Sequence, residues 1–349
     1  MPRGEDQMVS RRAALQMVAG MACSALLISA AQAQSVADFY RGKTISLIIG
    51  TSAGNDYDYR GRLVARFIGK YIPGEPTIVP RNMPGGGGIQ AANWVANIAP
   101  RDGTVVHMIM QNMMAAQAVQ MPGVEFDTRK LIWLGNTTSA PNVINSWHTS
   151  GITSVEQVKT KELVVGAPMG TAGALYPALL NAVAGTKFKI VMGYPGGNEV
   201  NLAMERGEVN GRGSNSWASW KSTKPDWLRD KKINILVQVG LKRHPDLPDV
   251  PLLLELATNE ADRKLLEFFS ADTDLSRSLV TTPGVPAERV EALRRAFDAV
   301  MKDPEFLAEA AKAAMDISPA TGEASQKIAE SIVTAPPDVI ARAKQLMTP

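Results

Sequence analysis

Short apolar, β-branched runs alternate along the chain with stretches in which apolar residues recur every three or four positions. Thr44–Ile49 is the first such run; it predicts a buried strand that ends in a Gly50-Thr51-Ser52-Ala53-Gly54 loop. Leu63, Val64, Phe67, Ile68 and Tyr71 then keep helical spacing, with Asp58 near the start. Thr77–Val79 predicts a brief strand leading into Pro84-Gly85-Gly86-Gly87-Gly88. A helix bearing Ile89, Ala92, Val95 and Ala96 follows and stops at Pro100-Arg101-Asp102-Gly103. Thr104–Ile109 and Leu131–Leu134 predict further strands.

The scheme repeats downstream. Leu163–Gly166 predicts a strand, Thr171–Val183 a helix and Lys189–Met192 a strand. Gly196-Gly197-Asn198 opens a helix reaching Arg206, and strands are expected at Val209–Arg212 and Ile233–Val239. The proline-studded stretch from His244 to Pro251 reads as a crossover. After a strand at Ser276–Val280 the pattern is helical to the end: Pro286–Lys302, Pro304–Met315, Gly322–Ser331 and Pro337–Met347, three of them opened by proline, which the first helical turn accepts. Such alternation predicts an α/β fold with mostly parallel sheet covered by helices. At about 150 residues per domain, a chain of this length points to two domains.

The N-terminus reads as an address. Ser10-Arg11-Arg12 precedes a moderately apolar run, Ala13 to Ala31, and then Ala31-Gln32-Ala33, so a secretory signal peptide cut after about Ala33 is expected. The paired arginines resemble a twin-arginine signal, but Ala14 and Gln16 stand where that signal usually has Phe and Lys, so the ordinary secretory route stays open. Removing residues 1–33 takes out Cys23, the single cysteine, together with three arginines and two acids. The remaining chain is formally +2 and has no thiol.

Composition then narrows the classes. With 45% hydrophobic and 20% charged residues the chain can bury a sizeable core, and a net charge of +3 with no basic stripe argues against nucleic acid. Three histidines and one cysteine leave little for a metal site, and no metal or cofactor is expected. Enzyme templates fail. Gly42-Lys43-Thr44 lacks the upstream glycine of a phosphate-binding loop and precedes a strand. Ala91 replaces the last glycine of a dinucleotide fingerprint, and G-x-S-x-G and H-E-x-x-H are absent. His107 falls in an apolar strand and His148 and His244 in loops, none with an acid or nucleophile at recognisable spacing, so they are read as structural.

Four loops share one layout, a strand running through small residues into a helix N-terminus: Thr51–Asp56, Pro84–Gly88, Ala167–Gly173 and Gly193–Asn198. Helix N-termini present unpaired N–H groups and partial positive charge, and glycine lets a ligand approach the backbone closely. In open α/β sheets the ligand crevice lies beyond the carboxyl ends of the strands, where these loops fall. The expected ligand contacts are Thr51, Ser52, Ala53, Asn55 and Asp56 from the first loop and Gly85, Gly86, Gly87 and Gly88 from the second. Met169, Gly170 and Thr171 come from the third, and Gly196, Gly197 and Asn198 from the fourth. Arg212 and Asn215 join them, Arg212 as a bidentate clamp for a carboxylate or else as a surface ion pair. Asp56 and Asp58 would hold a ligand amine or a water, or else cap their helix. Trp217 and Trp220, at helical spacing, are read as core.

From Tyr40 onward the chain resembles the Bug-type periplasmic receptors of tripartite tricarboxylate transporters. The matching pieces include Phe39-Tyr40-Arg41-Gly42-Lys43-Thr44-Ile45, Asn82-Met83-Pro84-Gly85-Gly86-Gly87-Gly88 and Pro100-Arg101-Asp102-Gly103. Tyr194-Pro195-Gly196-Gly197-Asn198, Arg206-Gly207-Glu208-Val209-Asn210, Leu247-Pro248-Asp249-Val250-Pro251 and Pro283-Gly284-Val285-Pro286 follow in the family's order. That resemblance implies a two-lobed, type II-like periplasmic binding protein that closes on a small carboxylate, held largely through backbone groups and ordered water. It implies lobe 1 from 34–135 plus 241–349 and lobe 2 from 136–240, with a monomer docking on membrane transporter subunits. Two other readings stay open: a periplasmic enzyme acting on an anion in the same cleft, and a ligand sensor for a signalling partner.

Overall fold

The computed structural model describes residues 35–168 and 171–347. The expected signal peptide lies outside them. Among the described residues eleven strands form two sheets: β1 (Thr44–Ile49), β2 (Thr77–Asn82), β3 (Val105–Ile109), β4 (Ile132–Asn136), β5 (Asn142–Trp147), β6 (Leu163–Pro168), β7 (Phe188–Tyr194), β8 (Gly211–Ser216), β9 (Ile233–Val239), β10 (Ser278–Thr281) and β11 (Ala320–Thr321). The first sheet runs β11-β4-β10-β3-β1-β2 and the second β7-β6-β8-β5-β9.

Neither sheet is mostly parallel, which corrects the expectation from sequence. β1 pairs in parallel with β2 and β3, and β6 with β7 and β8, because a helix returns the chain between strands. The remaining pairings are antiparallel. β10 arrives from far down the chain and wedges between β3 and β4, and β5 lies between β8 and β9. β2 is longer than the predicted Thr77–Val79 and contains Pro80, which an edge strand tolerates because its outer N–H has no ladder partner. The strand expected at Val209–Arg212 instead spans Gly211–Ser216, so Arg212 and Asn215 both lie within it.

Local chemistry accounts for the helices. Asn55 caps Asp56–Ile68, its side chain accepting from the Asp58 N–H, so the cap is Asn55 and neither aspartate. Asn259 does the same for Glu260–Ser270, a helix not foreseen from sequence, and Asp303 with Pro304 opens Pro304–Lys312. Three apolar clusters form the core. One joins the two halves: Ile48, Val105 and Ile109 of the first sheet share a cluster with Phe269, Val339 and Ala343 and with Val165 and Val237 of the second sheet. The proline-rich stretch stays with the second sheet, since Gln238 of β9 donates to the carbonyls of Leu247 and Val250 at 2.8 and 2.7 Å. Trp217 and Trp220 are buried in the third cluster, as expected. Among the described residues no helix is long and apolar enough to cross a membrane.

Candidate ligand cleft

The carboxyl ends of β1, β2, β6 and β7 converge on one cleft of about 550 Å³ between the two sheets. Each strand passes through a small-residue loop into a helix, so four helix N-termini face the same space. From the first loop Thr51, Ser52, Ala53, Asn55 and Asp56 line it, and Gly85, Gly86, Gly87 and Gly88 come from the second. Thr171, Gly196, Gly197, Asn198, Arg212 and Asn215 form the opposite wall. Met169 and Gly170 lie outside the described residues.

Gly85–Gly88 needs its glycines. All four have positive φ, at 149°, 54°, 64° and 106°, a run that side-chain-bearing residues rarely sustain. The turn lays bare backbone against the cleft before Ile89–Asn97 begins. On the other wall Gly197 is small for a different reason. Its backbone is unremarkable, but an added Cβ would run into the guanidinium of Arg212.

Arg212 is neither exposed nor ion-paired. Its Nε donates to the Ser214 carbonyl at 3.0 Å and its Nη1 to Asn201 Oδ1 at 3.0 Å, and the group lies 5.4 Å from the centre of the Trp220 ring. Burial lowers its pKa to about 10, so it stays charged near neutrality. The surface ion pair weighed from sequence is therefore excluded.

Asp56 corrects a second expectation. Its carboxylate does not await a ligand amine: Arg277 Nε sits 2.6 Å from Oδ2, Arg60 Nη2 3.7 Å from Oδ1, and Ser222 Oγ donates to Oδ1 at 3.2 Å. Burial alone would raise its pKa, but the two guanidiniums outweigh it and hold the carboxyl below its ordinary range. Arg277 also stacks over the Tyr57 ring at 3.9 Å. Asp58 is likewise occupied, by the Gly54 N–H, Arg62 and Asn82.

Sequence reasoning missed Arg277, Gln111, Asn142 and Ser219, all of which line the cleft. The available signals were an arginine between two serines just before an apolar pair and the polar Gln111-Asn112 pair just after β3. Two contacts reach across the cleft: Asn198 Nδ2 donates to the Gly54 carbonyl at 3.1 Å, and Ser222 donates to Asp56.

The fold is the two-lobed α/β fold of periplasmic binding proteins. The structure of the periplasmic binding protein BugD superposes with a TM-score of 0.70 at 19% identity, covering 88% of this chain and 98% of that one. The structure of R. palustris Rpa4515 with adipate gives 0.66 at 19% identity, covering 87% of this chain and 96% of that one. No family model matches the chain. A UPF0065 protein encoded in the gbd 5′ region of Cupriavidus necator is 26% identical over 305 residues, 84% of this chain and 86% of that protein. The resemblance to Bug-type receptors read from the sequence is thereby borne out.

Proposed function

We propose that the chain is an extracytoplasmic solute-binding receptor that captures a small carboxylate and delivers it to the membrane subunits of a tripartite tricarboxylate transporter. One observation carries this: four helix N-termini and a half-buried arginine hydrogen-bonded only to neutral groups face a single cleft between two sheets. The R. palustris neighbour with adipate supports the ligand class. In this reading the chain is exported with cleavage after about Ala33, works as a monomer without cofactor, and binds without turnover. Lobe 1 is 34–135 plus 241–349 and lobe 2 is 136–240, a division supported by the membership of the two sheets. Ligand entering the open cleft favours the closed form, because only closure brings both walls to it.

Thermal-shift screening against mono-, di- and tricarboxylates, aromatic acids, amino acids and neutral solutes tests the proposal. A ligand at a hundred times its Kd stabilises the native state by about 2.7 kcal/mol, enough to raise the melting midpoint. The shift is expected with an acid and is expected to vanish in Gly86→Asp, which places an anion against the first wall. A neutral solute that shifts the midpoint while no acid does would remove the carboxylate from the proposal.

A further inference from the structure

Away from the ligand cleft the two halves meet at one lysine. Lys221 sits on the helix Trp217–Thr223, whose Trp217 and Trp220 are buried in the third apolar cluster with Val143 of β5. Its Nζ lies 3.0 Å from Asp246 Oδ2 and 2.5 Å from Asp316 Oδ2. The two aspartates belong to different halves. Asp246 is in the proline-rich stretch that stays with the second sheet, and it also accepts from Trp217 Nε1 at 2.9 Å. Asp316 lies between Met315, buried in the cluster that covers β1, and β11 of the first sheet. His244 Nδ1 accepts the Asp246 N–H at 3.1 Å, so its ring is neutral and one ammonium serves both carboxylates.

The landing point on the first half is braced from below. Arg60, fully buried, donates from Nη1 to the Asp316 carbonyl at 3.0 Å, and its Nη2 stands 3.7 Å from Asp56 Oδ1. Lys221 and Ser222 are consecutive, and they reach the two residues that Arg60 holds, Lys221 the Asp316 carboxylate and Ser222 that of Asp56. One buried guanidinium thus fixes the spacing of both acceptors, whereas the partners of an ordinary surface pair drift. Burial alone would lower the Lys221 pKa, but hydrogen bonds to Asp316 and Asp246 outweigh it and hold the ammonium charged. Lys221, Asp246 and Asp316 all lie outside the cleft lining.

We propose that Lys221 is an electrostatic latch between the lobes, resting on Asp246 when they part and gaining Asp316 when they meet. The closed form then has a hold that does not involve the ligand. The side chains of Asp246 and Asp316 are 45% and 43% exposed, so salt weakens the latch, and ionic strength joins solute in setting the balance of open and closed forms. The latch depends on the two-lobed fold and not on which solute binds.

Carbodiimide coupling of the purified protein, dialysed free of solutes, tests it. The reagent condenses an ammonium and a carboxylate into an amide, with loss of water, only where the two touch. Peptide mass spectrometry reads two products of one lysine: Lys221 joined to Asp246 within the second lobe, and Lys221 joined to Asp316 between lobes. Both are expected at about 20 mM NaCl, and at about 500 mM the between-lobe share is expected to fall about twofold or more. Release of adipate, followed by tryptophan fluorescence, is expected to be about two- to fivefold faster in Asp316→Asn, which keeps the main-chain carbonyl that Arg60 holds. Lys221→Met, which leaves two carboxylates facing each other, is expected to release faster still. A between-lobe product that is absent or indifferent to salt, or release unchanged in both variants, would overturn the latch and leave the receptor reading standing. Adipate that does not bind would count against the carboxylate reading alone, since the cross-link ratio decides the latch without it.

Discussion

His107 shows how a single residue couples this fold to pH. It lies in β3, fully buried, with Nδ1 3.0 Å from the Ile48 carbonyl; a carbonyl only accepts, so Nδ1 holds the proton of a neutral ring. Burial lowers its pKa from 6.5 to about 4. Between those values the unfolded chain binds a proton that the folded chain refuses, so stability is lost as pH falls from about 6.5 towards 4. Fully developed, the loss from this residue is about 3 kcal/mol. Urea denaturation midpoints of wild type and His107→Gln, compared at pH 7 and pH 4.5, are expected to show a shallower acid decline in the variant. An equal decline would place the proton uptake elsewhere. The structural character of this histidine was readable in advance, because it stood in an apolar run with no acid at working distance. The ion pair of Asp56 was not: its partner Arg277 lies 221 residues away, and nothing local announces the meeting.

At the scale of elements, the helix Gly197–Glu205 gives a sharper test than any single polar contact. Alanine is a better helix former than glycine, so Gly197→Ala should suit the helix itself. The new methyl group would nevertheless displace the Arg212 guanidinium, the free end of a long side chain, with no backbone in the way. Stability is therefore expected to stay within about 1 kcal/mol of wild type while carboxylate affinity drops about tenfold, as read by paired denaturation and titration. Unchanged affinity would mean that Arg212 is not needed where the structure has it. The four strand-to-helix loops were legible from sequence because glycine and small residues punctuate them. β5 was not. Its sequence, Asn-Val-Ile-Asn-Ser-Trp, buries all six positions, and the polar ones break the apolar run by which a central strand is recognised. The antiparallel insertion of β10 was equally hidden, since pairing across the whole second sheet leaves no trace in local periodicity.

For the whole molecule, the proposed closure, with Lys221 of one lobe ion-paired to Asp316 of the other, is clasped at the cleft by two hydrogen bonds, Asn198 to Gly54 and Ser222 to Asp56. Each is worth about 0.5–1.5 kcal/mol. Asn198→Ala is thus expected to weaken ligand binding about two- to tenfold, mainly through faster release, and to enlarge the radius of gyration of the ligand-saturated protein in solution scattering. A variant as compact and as slow to release as wild type would show that the clasp does not hold the lobes together. Two lobes, their cleft and its glycine-lined walls could be anticipated from the sequence and its resemblance. The route by which the helices at Glu260–Ser270 and Pro337–Met347 tie the halves into one core could not, because amphipathic helices do not declare which face of which sheet they will cover.

The wedged position of β10 also fixes an order of events for a chain that emerges N-terminus first. The second sheet has all five of its strands once residue 239 is free. The first sheet must wait, since among the described residues β4 has its ladder partners only in β10 and β11, and Asp56 lacks its nearer guanidinium, at 2.6 Å, until Arg277 arrives. The capacity to hold a ligand is therefore among the last properties the chain acquires. On the proposed export by the ordinary secretory route, a newly made molecule has almost entirely crossed its membrane before any solute can bind it and resist its passage.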